Sequence, residues 1–271
     1  MASFNTKQED LKGLFNVPHI DQQEGVYFTY ATDADVLRSL VPQQLHIVAP
    51  VVVGYLVNIE KPNFGDRYME FALGVPCAFD EQTIGLYPFC LLLEGPGAFD
   101  GTTLGREFDG LPKKYAEELS FSKNGNTITA TVVRKGTKLM DLKVELGAYN
   151  NQMAADLFAP EGSTTQGNTF LYTYNTMQAE DGSCGFSNGR LNNLIMETKN
   201  RQWTPGNLEL AMYSSENDPY GELPILQPLG GAYIKHDTVI MQSLRKLMDV
   251  DANEIAQYQA AGRYDLCQYT K

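Results

Sequence analysis

A β-rich α+β fold is predicted, built on a closed or nearly closed antiparallel β-barrel with few helices and a helical C-terminal tail. Three observations predict it. Short segments rich in β-branched and aromatic residues recur along the chain between turn residues, the rhythm of a closed all-β architecture. Helical apolar spacing is confined to the stretch after Asp33 and to residues 241–264. No internal repeat or linker divides the chain, so its 271 residues read as a single domain spanning 1–271, with a core from about 15 to about 245.

The elements follow in order. Residues 26–31 form a first strand, and Asp33 caps a short helix over 34–40 that Pro42 ends. Residues 51–57 and 68–79 are the next strands, the latter closed by Asp80-Glu81. Residues 86–93 are nearly all apolar, which predicts a strand buried on both faces. A turn of helix is expected over 115–118. Residues 118–122 and 127–135 form a hairpin around Asn124-Gly125, because Asn-Gly supplies the positive φ angles of a tight turn. Residues 139–146 add a strand, and 160–167, rich in Gly, Ser and Thr, read as a surface loop. Strands are expected at 169–176, 191–198, 208–213 and 231–240. Leu244, Leu247, Met248, Ile255 and Tyr258 then recur at helical spacing, predicting a packing or oligomer helix within 241–264.

Composition narrows the partners. A hydrophobic content of 43% with 13 Phe, 15 Tyr and one Trp suffices for a large core. The 21 Lys and Arg against 33 Asp and Glu give a net charge of −12, which argues against nucleic acid or an anionic membrane surface as a partner. Cys77 and Cys90 sit in apolar surroundings and read as buried thiols; Cys184 and Cys267 add no metal-ligand spacing. Residues 1–13 lack the apolar core of a signal peptide, and no run approaches the roughly 20 apolar residues that span a bilayer. A cytoplasmic location is expected. His19, His46 and His236 lack metal-ligand spacing, and His236 reads as a satisfied structural histidine. Gly95-Pro96-Gly97 and Gly230-Gly231 make no phosphate-binding fingerprint, and Ser120, Ser122 and Ser187 lack the context of a nucleophile.

The chemically informative segment is Gly105-Arg106-Glu107-Phe108-Asp109-Gly110-Leu111-Pro112-Lys113-Lys114. An ordinary lysine amine, with a pKa of about 10.4, is protonated at neutral pH and cannot attack a carbonyl. A second ammonium nearby disfavours the charged form, and burial acts the same way. At about 5 Å and an effective dielectric of about 20, the repulsion is about 3 kcal/mol before screening. Lys113 is thus a candidate nucleophile, with Lys114 its electrostatic neighbour and Leu111 supplying apolar cover. On a strand the two lysines would face opposite ways; in a turn both could converge. Arg106 could add local positive charge for an anionic substrate.

This segment, through Gly105-Arg106-Glu107 and Leu111-Pro112-Lys113-Lys114, resembles the signature of the acetoacetate decarboxylase family, in which activation of a lysine by a neighbouring cation is the known pattern. Tyr27-Phe28-Thr29-Tyr30-Ala31-Thr32-Asp33, Leu37 and Val41-Pro42-Gln43-Gln44-Leu45 are similar to the family's amino-terminal strand, turn and helix. Leu208-Glu209-Leu210, Leu223-Pro224-Ile225 and residues 231–240 resemble its later strands. The resemblance implies a barrel, an imine at Lys113, Glu70 as an acidic partner and a homo-oligomer. Two departures stand out: Gln23 and Tyr55 occupy positions where members that decarboxylate acetoacetate carry Arg and Glu. Neither can supply the charge of the residue it replaces.

The sequence therefore predicts a lyase that decarboxylates a β-keto acid through a lysine Schiff base. The iminium is itself the electron sink, so no metal or organic cofactor is expected. Two alternatives stay open. One is a Schiff-base aldolase or dehydratase acting on pyruvate or another 2-oxo acid, which Gln23 and Tyr55 favour. The other is a barrel that binds a small acid without turning it over.

Overall fold

The computed structural model describes residues 5–15, 17–158, 160–178 and 180–269. The reading of residues 1–13 therefore falls partly outside the described residues. β1 (His19–Ala31) leads into α1 (Ala34–Leu40), where the Asp33 carboxylate accepts from the backbone N–H groups of Asp35 and Val36, as its place before the helix predicts. β2 (His46–Ile47) pairs with β4, while β3 (Val51–Pro62), β4 (Tyr68–Ala78) and β5 (Ile84–Glu94) pair antiparallel in sequence order. α2 (Ala98–Leu104) and a π-helical turn over Gly105–Asp109 then carry the chain to β6 (Lys113–Tyr115). β7 (Glu118–Asn124), β8 (Thr127–Arg134) and β9 (Thr137–Leu146) form an antiparallel set, followed by α3 (Met153–Leu157). β10 (Thr164–Gln178), β11 (Cys184–Met212), β12 (Gln227–Asp249) and α4 (Ala252–Arg263) complete the order.

The sheet runs β10-β5-β4-β3-β1-β12-β11-β9-β8-β7, and β10 also pairs with β11, so seven of these strands close into a ring with β9-β8-β7 branching from it. The sheet is mixed, which corrects the all-antiparallel expectation. β5 pairs in parallel with β6, and β10 touches β5 in parallel at Thr169 and Leu86. The β5–β6 pairing follows from the connection over 95–112: a helical crossover returns the chain in the direction it left, where a tight turn would reverse it. The expected helical turn at 115–118 is absent, since β6 ends at Tyr115 and β7 begins at Glu118. The 160–167 loop is shorter than expected, because β10 starts at Thr164.

Two further corrections concern length. Residues 191–198 and 208–212 belong to one strand, β11, which trades partners along its course from β10 and β12 to β9, and the expected strand at 208–213 ends one residue early, at Met212. Gly206 lies at the exchange, opposite both Gly231 and Leu146, and Pro205 is tolerated just before it. The helical tail begins only at Ala252; residues 241–249 continue β12. Register shifts in the β11–β12 ladder and a positive φ at Leu244 break the two-residue alternation, and the resulting three-residue spacing of Leu244 and Leu247 imitates a helix.

The main core gathers fully buried Phe28, Phe71, Tyr30, Phe170 and Tyr172 from β1, β4 and β10. A second cluster, including Val57, Tyr68, Leu91, Leu93 and Ile234 with Tyr27, Tyr55 and Leu111 against it, surrounds the site described next. Cys77 and Cys90 are buried and free, as expected. Among the described residues no helix is long and apolar enough to cross a membrane.

Candidate active site

β6 places Lys113 opposite Leu91 and Lys114 opposite Leu92 of buried strand β5. Pro112 offers its carbonyl to the Leu91 N–H, pinning the turn that precedes the lysines. Because neighbouring strand residues point to opposite sides, the two ammonium groups part company. Lys113 lines a cavity of about 160 Å³; Lys114 does not.

In that cavity the Lys113 Nζ lies 3.0 Å from Glu70 Oε2, with both side chains more than nine-tenths buried. The Tyr55 hydroxyl donates to the other Glu70 oxygen at 2.6 Å. Tyr27 stacks on Tyr55 with ring centroids 5.1 Å apart. Burial, then the adjacent Glu70 carboxylate, holds the Tyr55 hydroxyl well above the usual phenol range, so it stays a donor. Gln23 and Leu111 also line the cavity. The Gln23 amide is already engaged, donating to Ile20 O and Thr238 Oγ1. Arg106 is not in this cavity: it sits on the other side of the π-helical turn, its guanidinium 5.3 Å from the Tyr264 ring.

Lys114, expected as the electrostatic neighbour of Lys113, is itself paired. Its Nζ pairs with Asp218 Oδ1 at 2.5 Å and donates to the carbonyls of Asn217 and Ala261, each at 2.8 Å. Asp218, fully buried, also takes Arg134 at 2.7 Å, and Arg134 reaches Asp265 at 2.7 Å. Lys114 is thus neutralised inside an ionic network that ties β6 to α4. The same helix carries Gly262 against the turn: a Cβ there would lie 2.6 Å from both Phe89 O and Pro112 Cβ.

Asp109, within the same motif, went unassigned in the sequence yet lines the cavity. Burial pushes its carboxyl up to about 6, with the Lys113 charge opposing. Its carboxylate form is therefore disfavoured in the fold. Stability then falls as pH rises between the ordinary carboxylate value and about 6, because the unfolded chain holds fewer protons there. Asp109→Asn should melt higher than the parent above about pH 6 and equal to it near pH 3, as paired thermal melts across that range would read. His236, expected as a satisfied structural histidine, lines the cavity and is pushed down to about 4 by burial, and its Nδ1 has no protein hydrogen-bond partner among the described residues.

Gly105 makes room for the lysine. A Cβ at that position would lie 2.8 Å from Lys113 Cε and 3.1 Å from Nζ, while its φ of −65° suits any residue. Gly105→Ala should keep the fold, by circular dichroism, and slow reaction at Lys113 by about 100-fold, since an ångström of misplacement has that effect. Tyr55→Phe removes one of the two Glu70 contacts and should slow borohydride trapping of a ketone about tenfold, with about 1 kcal/mol lost from stability.

The family model for acetoacetate decarboxylase (ADC) matches residues 3–249. The chain belongs to the acetoacetate decarboxylase family. Within it, the chain is 40% identical over 268 residues to the CLA biosynthesis isomerase of Lactiplantibacillus plantarum, covering 98% of this chain and 95% of that one. It is 27% identical over 223 residues to acetoacetate decarboxylase 1 of Mesorhizobium japonicum, covering 80% and 83%. The fold is that of the acetoacetate decarboxylase from Legionella pneumophila subsp. pneumophila str. Philadelphia 1, with a TM-score of 0.72 at 15% identity over 92% of this chain and 99% of that one.

Proposed function

We propose that this family member forms an imine between Lys113 and the ketone of an oxo acid, and then moves a proton on the adjacent carbons, an isomerisation. The observation that carries the reading is the buried Lys113–Glu70–Tyr55 chain in the wall of a mostly apolar cavity. Glu70, 3.0 Å from Nζ, takes a proton from the ammonium and frees the amine to attack. Water leaves, and the protonated imine becomes the sink for an electron pair released at the carbon beside it.

That pair can come from a carbon–hydrogen or a carbon–carboxylate bond. The surroundings favour the first. Lys113 is the one cation lining the cavity among the described residues, and it faces two carboxyl groups, Glu70 and Asp109. A substrate carboxylate one carbon from the imine would meet repulsion there, with no guanidinium to hold it, because Gln23 is neutral and occupied. Carboxylates beside an iminium are suited to removing a proton. For a ketone with a double bond one carbon removed, a carboxylate takes the proton between the two groups, the electron pair enters the iminium, and a proton returns at the far alkene carbon. Hydrolysis then releases the conjugated ketone and the lysine. The likeness to an isomerase at 40% identity supports the same direction.

Decarboxylation of a β-keto acid is the second reading, supported by the decarboxylases in the family and by the same imine. Two parallel assays separate them: 4-penten-2-one followed by ultraviolet absorbance of the conjugated product, and acetoacetate followed by carbon dioxide release. Conjugation without gas is the expected result. Gas without conjugation would replace isomerisation with decarboxylation.

A further inference from the structure

Across the 105–110 segment from Lys113 lies a second pocket, of about 260 Å³, in which Arg106, Arg190, Lys246 and Arg263 converge. Four cations in one pocket are unexpected in a chain of net charge −12. Lys246 is held by Asp249 at 2.6 Å, and Glu107 also lines the pocket, but the three arginines form no ion pair among the described residues. Arg263 is the floor. It is 8% exposed, its guanidinium lies 4.8 Å from the Tyr174 ring, it donates to the carbonyls of Gly110 and Tyr172, and its Nε is buried without a partner. Burial first, and the charge of Arg106 with it, pushes this guanidinium down from its ordinary value against the pull of Tyr174 and Tyr264. A buried cation beside a second, with donor capacity unused, is a place where an anion would stabilise the structure.

The pocket lies beside the cavity that holds Lys113. Along β11, Met196 and Leu194 line the cavity, and Asn192 and Arg190 line the basic pocket. The wall between them is the π-helical turn, whose Gly105 abuts Lys113 and whose following residue Gly110 holds Arg263.

We propose that this pocket is a carboxylate-binding site, with Arg106 and Arg190 gripping the anion over Arg263. The proposal rests on the imine reading only for its link to Lys113. The carboxylate has two possible sources, the far end of the ketone substrate itself or a separate acid bound across the turn.

Calorimetry of the full chain with octanoate, and with 1-octanol as its uncharged control, tests the site. Octanoate is expected to bind at least about tenfold tighter, and less tightly as salt rises. Arg106→Gln/Arg190→Gln, with its folding checked by thermal melting, is expected to lose at least about tenfold in octanoate affinity. Equal binding of octanoate and octanol, or an affinity unchanged in the double variant, overturns the site. On the parent protein, octanoate that slows borohydride trapping of 8-oxononanoate but not of acetone assigns the carboxylate to the substrate. Octanoate that alters trapping of acetone assigns it to a separate acid. If octanoate binds as predicted while no ketone is trapped at Lys113, the site stands and the imine reading falls.

Discussion

Lys113→Gln is expected to reduce turnover by at least about 10⁴-fold and to abolish ketone trapping, while the protein still folds. On the proposed imine reading the loss is large because the amine is both the covalent partner and, once condensed, the electron sink, so nothing else in the cavity replaces it. Stability is the complication. Lys113 and Glu70 are both buried, and deleting one member of a buried pair leaves an uncompensated charge at a penalty of about 3–5 kcal/mol. Glutamine retains a donor within reach of the Glu70 carboxylate, and the Tyr55 hydroxyl continues to hold the other oxygen. Lys113→Gln should therefore melt above Lys113→Ala, while the two are equally inactive. Steady-state assays beside thermal melts of both variants read this directly, and comparable residual turnover in either variant would remove Lys113 from the chemistry.

The second large effect is expected at Asp218, which touches no substrate. Its carboxylate, fully buried, balances Lys114 at 2.5 Å and Arg134 at 2.7 Å. Asp218→Asn would leave two buried cations sharing Asp265, at roughly 3–5 kcal/mol. For a chain of this size the melting temperature should fall by roughly 10 °C. Combining it with Lys114→Met, which removes one surplus charge without adding bulk, should recover part of that loss. Additive losses in the double variant would mean that Lys114 and Asp218 are not coupled. The network also separates the two lysines in space: Lys113 faces the cavity and Lys114 anchors the strand that carries it.

Much of this was legible in the sequence for local reasons. Alternating or continuous apolar runs located β1, β3, β4, β5, β8 and β9, because burial on one or both faces writes itself into nearest-neighbour pattern. The long strands were misread where bulges and partner exchange break that pattern, as at Leu244 and Gly206. α2, with the sequence AFDGTTL, has weak helix propensity and is held in place by packing under Leu93 and Tyr68 at Gly101. In the site, Lys113, Glu70 and Tyr55 could be found because they lie in or align with a recognisable motif. Asp109 was within the quoted motif, and the signal for it was its place two residues before the Leu-Pro turn. Asp218, Arg134 and Asp265 left no signal, since their association spans 84 and 131 residues of sequence. His236 looked like core because it is buried; only its place in the cavity wall distinguishes it.

The most direct test of the central claim is to incubate the protein with a ketone, add borohydride, and map the reduced adduct by peptide mass spectrometry. Acetoacetate, pyruvate and 4-penten-2-one in turn would cover the keto-acid and isomerase substrates. The account predicts a single adduct on Lys113, with Lys114 unmodified because its amine is locked between Asp218 and two carbonyls. An adduct on Lys114 instead, or none with any of the three, would contradict it.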